Sequence, residues 1–149
     1  MNMMKTTTEV LLVDDNPGDT DLTAEILSGN VCPNHVHSVA DGVEAMAFLH
    51  RQGKYAGALP PHLIMLDLNM PRKDGLTVLV EVKSDIELRK IPVVIFSASL
   101  AGADIARSYD LGANSYVGKP GELKGFVAAV TAIGDFWFGI SSVAGREDH

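Results

Sequence analysis

Three short runs constrain this chain more than anything else in it: VLLV at 10–13, LIML at 63–66 and VVIF at 93–96. Each is apolar at every position. A strand with one wet face alternates apolar and polar residues, so a strand apolar throughout has both faces covered. Such runs are too short for independent helices, and the segments between them carry helical periodicity. Strands are expected over 9–13, 35–39, 62–67, within 91–99 and over 114–119. Helices are expected over 19–27, 42–50, 76–84, 102–112 and 122–140. Gly and Pro mark 51–61 as a loop. Alternation of this kind implies a doubly wound α/β fold. The expected architecture is a five-stranded parallel sheet, flavodoxin-like, with strand order 2-1-3-4-5 and helices on both faces.

A chain of 149 residues makes one domain, expected over 8–140 between a flexible stretch at 1–7 and a polar tail at 141–149. The net charge of −7 argues against nucleic acid as a direct partner. Cys32 is the only cysteine, so no internal disulfide can form, which fits a reducing compartment. The first ten residues lack a signal-peptide core. No window approaches the roughly 18 apolar residues of a membrane span. These features lead us to expect a soluble, cytoplasmic protein without membrane contact.

In open parallel sheets the chemistry sits beyond the carboxyl ends of the strands. The first strand delivers Asp14 and Asp15 there, and the third delivers Asp67, with Asn69 two residues on. The fourth delivers Ser97, and the fifth Lys119 followed by Pro120. A dinucleotide site would need a Gly-rich turn after the first strand. The turn DDNPGD repels phosphate unless a divalent cation intervenes. Mg²⁺ suits it, being hard, oxygen-seeking and bound through one or two carboxylates plus phosphate. With Mg²⁺ on Asp15 and Asp67, Asp67 can attack phosphorus in line, while Lys119 and Ser97 balance charge on the phosphoryl oxygens.

These residues together resemble the response-regulator receiver domain of two-component signalling. The matching features are Asp14-Asp15, Asp67 in LDLNMPRKDG, Ser97 in FSAS, Tyr116 and Lys119-Pro120, spread over about residues 8–138. The resemblance implies Asp67 as the phosphorylation site and Asp15 as a direct Mg²⁺ ligand. It implies Asp14 as a ligand through water and the Asn69 backbone carbonyl as a further ligand. Ser97 and Tyr116 are then the switch pair and Lys119 the phosphate-sensing base. Gly121 after Lys119-Pro120 departs from the family habit. DDNPGDTDL, the 51–61 loop and the C-terminal DFWF are similar to single-domain regulators paired with phytochromes. A sensor histidine kinase, phytochrome-type, is the implied phosphodonor, and output runs through protein contacts with a downstream partner the sequence does not name.

Two rivals are weaker. A haloacid-dehalogenase-type phosphatase needs a second acid where Asn69 stands. A pseudo-receiver loses an acid or the lysine, and none is lost here. His35, His37, His50, His62 and His149 show no ligand spacing, although His35 and His37 share a strand face and are expected as a surface pair. In the last helix, Leu123, Phe126, Val130, Ile133 and Trp137 form the expected core stripe. Phe136 and Phe138 fall outside it and are expected to serve a homodimer face built from the fourth helix, fifth strand and fifth helix.

Overall fold

The computed structural model describes residues 7–145. Its elements are β1 (Thr8–Val13), α1 (Pro17–Ser28), β2 (Asn34–Val39), α2 (Gly42–Leu49), β3 (Leu63–Leu66), α3 (Gly75–Ser84), β4 (Val93–Ser97), α4 (Gly102–Asp110), β5 (Ser115–Gly118) and α5 (Leu123–Gly134). All pairings are parallel, in the order β2-β1-β3-β4-β5. The strands that carry the three apolar runs take the three central places. The mixed strands β2 and β5 take the edges, where partial exposure is tolerated.

Side-chain alternation divides the core in two. Leu11, Val13, Ile64, Leu66 and Ile95 face α2 and α3, packing with Ala45, Met46, Leu49, Val78, Leu79 and Val82. Val10, Leu12, Met65, Val94 and Phe96 face α1 and α5, packing with Leu27, Phe126, Val130 and Ile133. Burying each such side chain contributes about 1.5–3 kcal/mol. Helices α1, α2 and α3 start on caps. Asn16, Asp41 and Asp74 accept backbone N–H bonds from Asp19, Glu44 and Thr77. The Asn16 cap and Pro17 in the first turn explain why α1 starts before residue 19. The expected loop at 51–61 contains one 3₁₀ turn, Gly53–Tyr55.

The C-terminal helix corrects the sequence expectation. The α-helical ladder stops at Gly134, and Asp135–Ile140 winds as a wider π-turn. A straight α-helix carries the inward stripe from Ile133 to Trp137. The wider turn delays the return by one residue, so Phe138 becomes the core residue, 4% exposed. Trp137 is only partly buried, and Phe136 is 46% exposed. Phe138 therefore has no place in a dimer face. Leu123, expected in the core, is exposed at the start of the helix. The segment Leu123–Ile140 is also, by length and composition alone, apolar enough to cross a membrane, against the expectation of no such window. Its buried face here covers the sheet through Phe126, Val130, Ile133 and Phe138.

The histidine pair has a partner that periodicity did not show. Glu9 on β1 is buried, and its Oε2 and Oε1 lie 3.0 and 3.1 Å from His35 Nδ1 and His37 Nε2. Cys32 is buried against the α1/α5 side.

Candidate functional site

One further backbone hydrogen bond holds each of three site residues as it leaves the sheet. Asp14 N–H donates to the Val39 carbonyl (3.1 Å), Asp67 N–H to that of Val13 (2.9 Å) and Lys119 N–H to that of Ser97 (2.8 Å). The chain is therefore still extended at these residues, and their side chains emerge at one edge.

Asp14, Asp15 and Asp67 each place a carboxylate oxygen within 4.8 Å of the others. The Asp14 and Asp67 side chains are buried, whereas Asp15 is exposed. The Lys119 side chain is 7% exposed, and its Nζ donates to Asp14 Oδ2 (2.6 Å), Asp19 Oδ2 (3.0 Å) and Asp67 Oδ2 (3.2 Å). An ammonium has three protons, and each finds a carboxylate. Three carboxylates thus surround one ammonium, and with Asp15 beside two of them the site is negative. Burial raises the Asp14 carboxyl above the usual aspartate range, although Lys119 and the Asn16 N–H oppose the shift. Burial also works against the charged form of Lys119. The bonds to Asp14 and Asp19 and the field of Asp67 outweigh it and hold the ammonium well above the ordinary lysine value.

The loop after β3 is built for close approach. A Cβ on Gly75 would fall on the Asp67 carbonyl oxygen and against Leu68 Cα, so only glycine fits. Arg72 adopts φ +66° and donates to both oxygens of Asp41, at 2.9 and 3.1 Å. That fork ties the loop to the start of α2. The Arg72 guanidinium in turn holds the Asp41 carboxyl below its usual range. An open cleft of about 480 Å³ lies between Asp15, Asn69 and Asp104.

The donor set fits a hard divalent cation: three carboxylates converge beside solvent, and a lysine ammonium already sits on two of them. Asp14, Asp15 and Asp67 are the carboxylates that would hold it.

Ser97 and Tyr116 form a separate group. Ser97 is fully buried, and its Oγ accepts the Ser99 N–H at 3.3 Å rather than meeting the acids. Tyr116 Oη donates to the Ser99 carbonyl at 2.7 Å, and Tyr116 N–H donates to Tyr109 Oη at 3.0 Å. Ser99 Oγ donates to Asp104 at 2.6 Å. The structure therefore joins Asp14, Asp15, Asp67 and Lys119 directly and links Ser97 to Tyr116 through Ser99. Phe136 and Phe138 follow α5 and take no part. The sequence places Asp19 only at the start of the first expected helix and gives no sign of its contact with Lys119. A third-position acid in α1 carries no signal of a partner 100 residues away.

Comparison with known proteins agrees with this geometry. The profile of the response regulator receiver domain matches residues 10–131. The response regulator Rcp1 of Synechocystis sp. is 41% identical over 128 residues, covering 86% of this chain and 87% of its own. The crystal structure of the phosphorylated cyanobacterial phytochrome response regulator RcpA superposes with a TM-score of 0.91 at 43% identity. It covers 94% of this chain and 100% of its own. The Mn²⁺-bound form of response regulator Rcp1 gives a TM-score of 0.90 at 38% identity, covering 93% and 99%.

Proposed function

The chain belongs to the response-regulator receiver family, and from that premise we propose that Asp67 takes a phosphoryl group from the phosphohistidine of a sensor kinase in the cytoplasm. The observation that carries this reading is the carboxylate triad at the sheet edge, two members of which a single ammonium already holds. An Asp67 oxygen attacks phosphorus in line. An O–P bond forms, the P–N bond of the donor breaks, and the donor imidazole keeps the bonding pair. Asp14, Asp15, Asp67 and the Asn69 carbonyl would hold a divalent cation, Mg²⁺ in this reading, which would supply positive charge beside the carboxylates and phosphoryl oxygens. Lys119, already 3.2 Å from Asp67, turns one N–H to a phosphoryl oxygen. Ser97 supplies the hydroxyl on the β4 side, and its move away from Ser99 frees the link to Tyr116.

Likeness to RcpA and Rcp1 supports a phytochrome-type kinase as the donor. Output runs through protein contacts. Exposed Tyr109, Leu123 and Val127 on α4 and α5, with Phe136 beyond, provide a surface for homodimerisation. The direct test is intact mass after incubation with acetyl phosphate and Mg²⁺. One phosphoryl group is expected, absent in Asp67→Asn and absent with chelator. Uptake that persists in Asp67→Asn would place the acceptor elsewhere. Sedimentation of the phosphorylated and unmodified protein tests the dimer.

A further inference from the structure

We propose that Asp19 is a positioning residue that keeps Lys119 bonded when a divalent cation claims the neighbouring acids, an inference that rests on the cation-dependent reading above. Lys119 has three acceptors. Two of them, Asp14 and Asp67, belong to the triad that fits the cation, and Asp19 does not. A cation entering the triad competes with the ammonium for the same oxygens and repels it. Without another acceptor, a nearly buried ammonium either holds on to Asp14 and Asp67 or loses its hydrogen bonds, and both oppose cation entry. Asp19 supplies that acceptor at 3.0 Å, from the first turn of α1.

Its backbone supports the same task. The Asp19 N–H donates to the capping Asn16 side chain at 3.1 Å, so the residue sits in a fixed helical turn. Its carboxylate is 32% exposed, which leaves its charge partly solvated and avoids a third buried acid beside Asp14 and Asp67. Lys119 therefore keeps a hydrogen-bond partner in both states of the site. Its third N–H remains available to Asp67 or to a phosphoryl oxygen placed there. Asp19 acts through Lys119 and touches neither the cation nor the phosphoryl group.

A double-mutant cycle on Mn²⁺ affinity tests this, with binding read from the electron paramagnetic resonance signal of free Mn²⁺. The four proteins are the wild type, Asp19→Ala, Lys119→Met and the double variant, each checked for folding by circular dichroism. Asp19→Ala is expected to weaken Mn²⁺ binding about fivefold when Lys119 is present and by less than about twofold when it is Met. Asp19→Asn, which keeps one acceptor oxygen, is expected to fall between Asp19→Ala and the wild type. Equal losses in both backgrounds would mean that Asp19 acts by its own charge, and would overturn the proposal. No loss in either would reduce the contact to a surface ion pair. A wild type that binds no Mn²⁺ would bring down the functional reading as well. A wild type that binds Mn²⁺ and is phosphorylated on Asp67, with a null cycle, would sink only the role of Asp19.

Discussion

Replacing Phe138 by Ala is the sharpest test of how the C-terminal helix meets the sheet. Phe138 is 4% exposed, packed with Leu27, Cys32 and Ile133 in the α1/α5 half of the core. Its ring lies 3.5 Å from where a Cβ on Gly134 would stand. Truncating a buried Phe loses its transfer free energy and leaves a cavity, together about 3–5 kcal/mol. Phe136 is 46% exposed and meets mainly Trp137, edge to face with ring centroids 5.0 Å apart. Its loss is expected to cost about 1 kcal/mol or less. For a chain near this size each kcal/mol moves Tm by about 2–4 °C. Phe138→Ala should thus lower Tm by roughly 6–20 °C and Phe136→Ala by no more than about 4 °C. Urea unfolding of both variants, with unchanged m-values, gives the comparison. If Phe136→Ala were the more damaging, or Trp137→Ala far exceeded Phe138→Ala, the helix would run straight through residues 135–140 and the π-turn argument would be wrong.

Three further outcomes are expected. Gly75→Ala places a Cβ on the Asp67 carbonyl oxygen; it should cost about 1–3 kcal/mol and slow phosphoryl uptake, and an unchanged rate by mass spectrometry would contradict the close packing. Asp14→Asn should raise the Tm of the cation-free protein by a few degrees at pH 7, since burial penalises this carboxylate. The sign follows from a folded-state pKa raised above 3.8: the wild type regains the difference as pH falls through that raised value and the acid takes its proton, so the gap between the two proteins should close toward pH 4. Mg²⁺ at ten times its dissociation constant should stabilise the wild type by about 1.4 kcal/mol, an effect that chelator reverses and that shrinks in Asp14→Asn; an unchanged Tm at saturating Mg²⁺ would rule out the cation site.

The sequence disclosed the sheet because Val10, Leu11, Leu12 and Val13 have no polar neighbour among them to face water. The same held for 63–66 and 93–96, so the three central strands and the acids at their ends could be read directly. Asp14, Asp67 and Lys119 follow from strand ends alone, because the ladder holds the chain extended through them, and Asp15 is the residue next to Asp14. The contacts of Glu9 with His35 and His37 were harder to foresee. Neighbouring strands fix which residues face each other, and β1 pairs Glu9 with His35 only in the folded register. The change of register after Gly134 was not legible either. Nothing in GDFWFGI distinguishes an α-turn from a π-turn, and the choice is made by how Phe138 and Trp137 fill the space beside Leu27 and Cys32. Asp19 escaped notice because a solvated first-turn acid is the ordinary case.

The distribution of rigidity across the site suggests where a charge change at Asp67 is felt. Two like charges no more than 4.8 Å apart repel by about 3.5 kcal/mol or more at an effective dielectric of about 20. The acids cannot relax apart, because Asp14 and Asp67 are hydrogen-bonded continuations of the central strands β1 and β3, both fully buried. The β4–β5 side is held more lightly. Helix α4 has no side-chain cap at Ala101 and buries only Ser108, and β5 is a partly exposed edge strand. Lys119 ties the end of β5 to the acids, but Tyr116 and Ser97 are linked only through single bonds at Ser99, one from Tyr116 Oη to its carbonyl and one from its N–H to Ser97 Oγ. When charge at Asp67 is altered, the acid side has no alternative arrangement, and the hydroxyl side does. The rigid strands concentrate the electrostatic strain, and the weakly anchored α4 and β5 are where the chain can yield to it.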